Sequence, residues 1–294
     1  MNLDDRHILS AIQILFALEL VLVSEFNLKG WRMKKTRPVE DEPHFLFLEE
    51  MTTPVVERFL ESGDPLFIPV GTLEAHGRHL PVGTDTMCAK GIAAELAEKM
   101  GGAVAPAFSY GLTNLLAQTA PASFFPQDIF RAYLETAIKA YIAHGFRKIV
   151  IVNGHGGNRD ALMHMCRALV RETPVALSVI HWWLLAEEAS KEVYGAVGGH
   201  AAAEETAAML YFHPTLVDPD LYDSANDDFT PNEGMWLYPP PGEVLVYDGN
   251  PLGRPNMNCE KAQRFMKSVI SKIREILERW LSRITRLKGG LRPS

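Results

Sequence analysis

Short apolar runs alternate with longer amphipathic segments along most of this chain. Leu66–Val70 (LFIPV), Ala103–Phe108, Lys148–Val152 (KIVIV) and Val175–Ile180 read as buried strands, each bounded by glycine, proline or polar residues. Helical spacing fills the intervals. Thr53-Pro54 fits an N-cap followed by proline at the first helical position, and that helix ends at Gly63. Further helices are predicted over Thr86–Met100, Gln127–His144, Arg159–Glu172, Ala201–Phe212 and Glu260–Ile284. The last of these carries lysine and arginine on its polar face. Strand–helix alternation of this kind predicts an α/β fold with a parallel sheet covered on both faces. Two stretches break the pattern: a long loop from Tyr110 to Pro126, and a Pro/Gly/Asp-rich excursion from Asp218 to Pro255.

Composition narrows the class. The 294 residues suit one large α/β domain or two small ones, and no repeat or linker divides them. A hydrophobic share of 47% with 22% charged residues is that of a soluble globular protein. The net charge of −7 argues against nucleic acid as a partner. Cys88, Cys166 and Cys259 are widely spaced and form no CxxC pair, so a reducing, cytoplasmic setting is expected. Leu9–Phe26 is apolar but is interrupted by Glu19 and Glu25. It lacks a basic leader and a small-residue cleavage site, and it is marginal for a membrane span, so no membrane partner is expected. Residues 1–32 are read as an apolar extension outside the catalytic unit, either a peripheral helix or a non-native addition. Met33 is then a candidate start of a single domain over 33–294.

Three clusters carry candidate chemistry. Just past the LFIPV strand come Glu74, His76, His79 and Asp85. Ligand sites of α/β proteins collect beyond the carboxyl ends of strands, and borderline metals accept mixed imidazole and carboxylate shells. After KIVIV comes Asn153-Gly-His155-Gly156-Gly157-Asn158, whose glycines permit close approach of a ligand. It matches neither of the common glycine-rich phosphate-binding patterns. The third cluster is His200-Ala-Ala-Ala-Glu204-Glu205-Thr206, in which a histidine and a carboxylate could serve as acid and base, or Glu205 could complete a metal shell. Glu74, His76, Asp85 and His155 suffice for one metal with open positions or for two bridged by a carboxylate. Either arrangement implies metal-assisted hydrolysis.

In order and spacing, these motifs over about Phe45–Phe212 resemble the creatininase (creatinine amidohydrolase) family. The resemblance implies a three-layer α/β/α sandwich with a mostly parallel central sheet. It also implies a homo-oligomer, often a hexamer, and two divalent metals (zinc, manganese or iron) per chain. It makes Glu74, His76, Asp85 and His155 metal ligands, with Asp85 bridging. His200 and Glu205 match positions of acid–base or substrate-facing role. Trp182 or Trp183, together with Gly156 and Gly157, falls on the substrate side. The chain departs from creatininase itself where Gly157 replaces a glutamate ligand, which leaves Glu205, or less directly Glu204, as the replacement. Ala202 replaces a usual glycine, and the Gln118–Phe125 loop is altered. The implied activity is hydrolysis of a small polar substrate at a C–N bond, a cyclic amide or formamide. The alternatives are ring-opening C–C hydrolysis of a keto-inositol, or a metal-binding maturation or scaffold role.

Overall fold

In the computed structural model, the described residues are 46–286, apart from 114–115, 117–118, 123–124 and 231–241. The apolar extension at 1–32, and Gln118 in the altered loop, lie outside them. Four parallel strands form the central sheet: β1 (Leu66–Val70), β2 (Ala103–Val104), β3 (Lys148–Asn153) and β4 (Ala176–His181), in the order β2-β1-β3-β4. The helices around them are α1 (Thr53–Ser62), α2 (Thr84–Met100), α3 (Gln127–Ala143) and α4 (Arg159–Glu172). They continue with α5 (Trp182–Leu185), α6 (Glu187–Tyr194), α7 (Ala203–Phe212) and, after the excursion, α8 (Cys259–Thr285).

The strand pleat sorts side chains into two cores. Leu66, Ile68, Val70, Ile149 and Ile151 pack with Phe130, Leu134 and Ile138 of α3 and Leu162 and Leu169 of α4. Phe67, Val150, Val152 and Ile180 point the other way, onto Ile92 and Leu96 of α2, Met209 of α7 and Phe265, Ile270 and Ile273 of α8. Both faces are therefore covered, and full burial of each large side chain contributes roughly 1.5–3 kcal/mol. This is the three-layer α/β/α sandwich. Salt links from Lys272 to Glu188 and from Arg264 to Glu192 tie α8 to α6 at the surface. No helix among the described residues is long and apolar enough to cross a membrane.

Pro69 sits inside an interior strand, where a missing N–H usually breaks a ladder. Here the backbone of Phe67 and Pro69 faces β2, their carbonyls accepting from Ala105 and Phe108, while Val70 faces β3 and accepts from Gly154. The absent donor thus lies on the side where β2 has already ended. For the same reason the strand expected over 103–108 is regular only to Val104 and touches β1 again through a single bridge at Phe108.

The excursion is not irregular throughout. It contributes β5 (Asp227–Thr230) and β6 (Val244–Tyr247), a parallel pair outside the main sheet. β6 and the residue before it lie across the top of the fold: Gly77 N–H donates to the carbonyl of Glu243, Leu245 N–H to that of His200, and Tyr247 N–H to that of Gly198.

Candidate metal centre

The three motifs meet beyond the carboxyl ends of β1 and β3. Glu74 and His76 lie on the loop after β1, and Asp85 in the first turn of α2, where the helix dipole favours a carboxylate. His155 follows β3, while His200 and Glu205 stand just before and within the first turn of α7. Glu74, His76, Asp85, His155 and Glu205 are all buried.

Asp85 is central. Its Oδ1 lies 2.9 Å from His76 Nε2, and its Oδ2 lies 2.9 Å from His155 Nδ1. Glu74 Oε1 is 3.0 Å from the same His155 nitrogen, and Glu205 Oε2 is 3.6 Å from His76 Nε2. Two sets of converging ligand atoms result, Glu74/Asp85/His155 and His76/Asp85/Glu205, with Asp85 in both. A third, Glu74/His76/His200, shares two of those residues. The far ring nitrogens are tied to backbone carbonyls: His76 Nδ1 to Glu74 (3.1 Å), His155 Nε2 to Leu112 (3.1 Å) and His200 Nε2 to Ala75 (2.7 Å). Donation to those carbonyls leaves a lone pair on each inward nitrogen, the usual outer-shell arrangement of a metal-ligating histidine. Asp85 Oδ2 is buried without a well-directed hydrogen bond despite the nearby imidazole. Lone pairs facing carboxylate oxygens at such distances fit divalent cations between them.

The electrostatics agree. Burial works against charge on His76, but Asp85 and then Glu205 outweigh it and push its pKa up to about 10. His155 is raised well above its ordinary value, against burial, by Glu74 and Asp85. Burial would raise Glu74 and Asp85, yet the imidazoles hold both below the usual carboxylate range, His155 acting on Glu74 and His76 with His155 on Asp85. Glu205 goes the other way, burial lifting it to about 8 against the pull of His76. Burial and the neighbouring His76 keep His200 low.

The substrate-side residues separate. Trp182 is fully buried and packs in the core on the sheet's α2/α7/α8 face, because α5 begins there and turns its ring inward. Trp183 is half-buried beside His181, with ring centres 5.6 Å apart. His181 in turn accepts from the Asn153 amide at 3.0 Å. Gly156 is exposed, with open space where a Cβ would go, whereas a Cβ on Gly157 would strike the Leu112 carbonyl and the His155 ring. Glu204 turns away from the cluster, accepting from Ser190 Oγ (2.6 Å) and Gly198 N–H (2.8 Å). Glu205 is therefore the one of the pair that joins the ligands.

Several contributors had no sequence signal. The Leu112 carbonyl lies in a segment without period, and Leu245, whose N–H holds the His200 carbonyl, arrives on β6 from the excursion. Asn158, visible only as the end of a motif, is a fully buried amide that joins Gly71, Leu112 and Asn153.

Comparison with known proteins places this geometry. Residues 49–277 match the creatininase family model, described as creatinine amidohydrolase. A 3-dehydro-scyllo-inosose hydrolase of Thermotoga maritima is 25% identical over 268 residues, covering 82% of this chain and 86% of its own. A mycofactocin precursor peptide peptidase of Mycolicibacterium smegmatis is 37% identical over 175 residues, 55% of this chain and 64% of its own. Solved creatininases in a manganese and a zinc–zinc form align with TM-scores of 0.69 and 0.67 at 21% identity, covering 80% of this chain and 98% of theirs. At that identity the structures show a shared fold, while the family model spans most of the chain: this protein belongs to the creatininase family.

Proposed function

We propose that this chain is a two-metal hydrolase that cleaves a C–N bond of a small polar molecule, a cyclic amide or a formamide. The observation that carries the reading is Asp85, whose two oxygens face His76 and His155 at 2.9 Å each and so join two ligand sets through one carboxylate. Glu74 and His155 would hold one ion with Asp85, and His76 and Glu205 the other. Zinc, manganese and iron all suit such a shell. When bound, the pair lowers the pKa of water and polarises a carbonyl oxygen.

The protein's own residues supply orientation and proton transfer. Nε2 of His200 is anchored on the Ala75 carbonyl, and its Nδ1 faces the cluster 3.6 Å from Glu74. Its side chain is 18% exposed, the most open of the clustered histidines, so it can exchange a proton with a leaving nitrogen. Its low pKa keeps it neutral, so it can take the proton that the attacking water gives up and pass it to the leaving nitrogen. Trp183, Gly156 and Gly157 are assigned to the substrate side. The same reading includes a homo-oligomer, a hexamer by resemblance, which sedimentation velocity would measure.

Metal analysis of protein purified without chelator tests the assignment. Wild type is expected to carry two ions per chain and Asp85→Ala none, with the fold retained by circular dichroism. His200→Ala should keep both ions and lose turnover by roughly 10²–10⁴-fold. An Asp85→Ala variant with full metal and activity would sink the reading. A second reading, C–C hydrolysis of a keto-inositol ring, is supported by the long alignment with the inosose hydrolase. Cyclic amides, keto-inositols and short peptides assayed side by side discriminate among the bonds.

A further inference from the structure

One histidine of the first motif is absorbed by neither ligand set. His79 is 1% exposed, and Gly77, at φ 61°, makes the bend that folds it back from His76. A Cβ on Gly77 would crowd the His79 ring. The ring rests on Tyr222, with centres 5.3 Å apart, and the His79 carbonyl accepts from Asp218 N–H at 2.9 Å. Its Nε2 lies 3.0 Å from Oγ1 of Thr206, which is itself fully buried and 127 residues away in sequence. That is the ring's one hydrogen bond among the described residues, since Nδ1 has none. A leucine or phenylalanine could fill the space and would bury no orphaned nitrogen. What the imidazole adds is the tie to Thr206.

Thr206 follows Glu205 in the first turns of α7. Glu205 reaches the cluster through a single oxygen, which accepts from Ala201 N–H at 2.6 Å and faces His76 at 3.6 Å. The register between the β1 loop and α7 therefore decides where Glu205 meets His76 and Asp85. We infer that His79 is a positioning residue: its bond to Thr206 locks α7 to the β1 loop and sets the His76/Asp85/Glu205 half of the centre. The Glu74/Asp85/His155 half hangs on β1, α2 and β3 and does not pass through α7. The inference rests on the two-ion reading above, and it predicts that the two halves can be uncoupled.

Zinc titration of the metal-depleted full chain by calorimetry tests it, with Thr206→Val as a near-isosteric loss of the hydroxyl and Thr206→Ser as its restoration. His79→Leu and His79→Gln form the reciprocal pair, glutamine placing an amide N–H near Nε2. Wild type should bind two zinc ions. Thr206→Val and His79→Leu should keep one at wild-type affinity and bind the second about 10–100-fold more weakly, the usual cost of losing an outer-shell partner. Thr206→Ser and His79→Gln should recover most of that loss. Two sites unchanged in Thr206→Val, or both weakened alike, overturns the clamp and leaves the two-ion reading standing. Wild type binding a single zinc overturns that reading, and the clamp with it.

Discussion

At the scale of single residues, the centre is held by amides and carbonyls more than by its ligands. Asn158 shows this. Its Oδ1 accepts from Leu112 N–H at 2.9 Å, and its Nδ2 donates to the Gly71 carbonyl at 3.2 Å and Asn153 Oδ1 at 3.3 Å. Leu112 in turn holds His155 through its carbonyl. Asn158→Asp would set a carboxylate oxygen against two acceptor oxygens in a fully buried site. The expected loss is about 1–3 kcal/mol from the unsatisfied pair. It should appear as a lower thermal midpoint and weaker metal retention, and an unchanged midpoint would contradict the network. The motif made Asn158 visible in sequence, but two of its three partners lie 46 and 87 positions away, so its job was not. Trp182 illustrates the opposite limit. The family resemblance put it or Trp183 on the substrate side. Which way α5 turns its first ring depends on the packing of α2, α7 and α8, which no local pattern contains.

Elements place the ligands by close approach. The β3 loop crosses the start of α2 so tightly that a Cβ on Gly154 would overlap the carbonyl of Asp85. Gly154 N–H also donates to Val70 at 2.8 Å, which fixes the β3 loop against the end of β1. Gly154→Ala must therefore move β3's loop away from Asp85, separating His155 from the carboxylate it shares with His76. Loss of the Glu74/Asp85/His155 ion is expected, with destabilisation of about 1–3 kcal/mol from overpacking. Metal content and urea denaturation check both, and retention of two ions would show that the loop has slack. The alternation of strands and helices was legible because buried parallel strands are continuous apolar runs and their crossover helices are amphipathic. β5 and β6 were not. They are four residues each, set in Pro/Gly/Asp-rich sequence, and β6 is held by bonds to Gly198 and His200, more than forty residues earlier in the chain.

For the whole molecule, the buried charges make stability, metal and pH one problem. Without ions, protons balance the carboxylates. His76, raised from 6.5 to about 10, contributes stability that is complete below 6.5 and lost as pH rises through 10. Glu205, raised from 4.5 to about 8, acts in the same sense: its contribution is complete below 4.5 and gone above 8. Glu74 and Asp85, held below their usual range, contribute above about pH 4.5 and change little beyond it. His79, His181 and His200, held below 6.5 mainly by burial, work the other way up to about pH 7, so the metal-free protein should lose stability from about pH 7.5 to pH 10. On the proposed two-ion reading, ions would take the place of the protons, so loading should expel them, and apparent affinity should rise about tenfold per pH unit for each proton displaced. The gap in thermal midpoint between loaded and metal-free protein then widens from pH 6 to pH 9, since ligand-linked stability grows with affinity. Differential scanning fluorimetry at pH 6, 7.5 and 9 measures that gap. Calorimetry in buffers of different ionisation enthalpy counts the protons released on loading. A gap that narrows with pH, or loading without proton release, would mean that His76 and Glu205 do not exchange protons for metal and that the ions sit elsewhere.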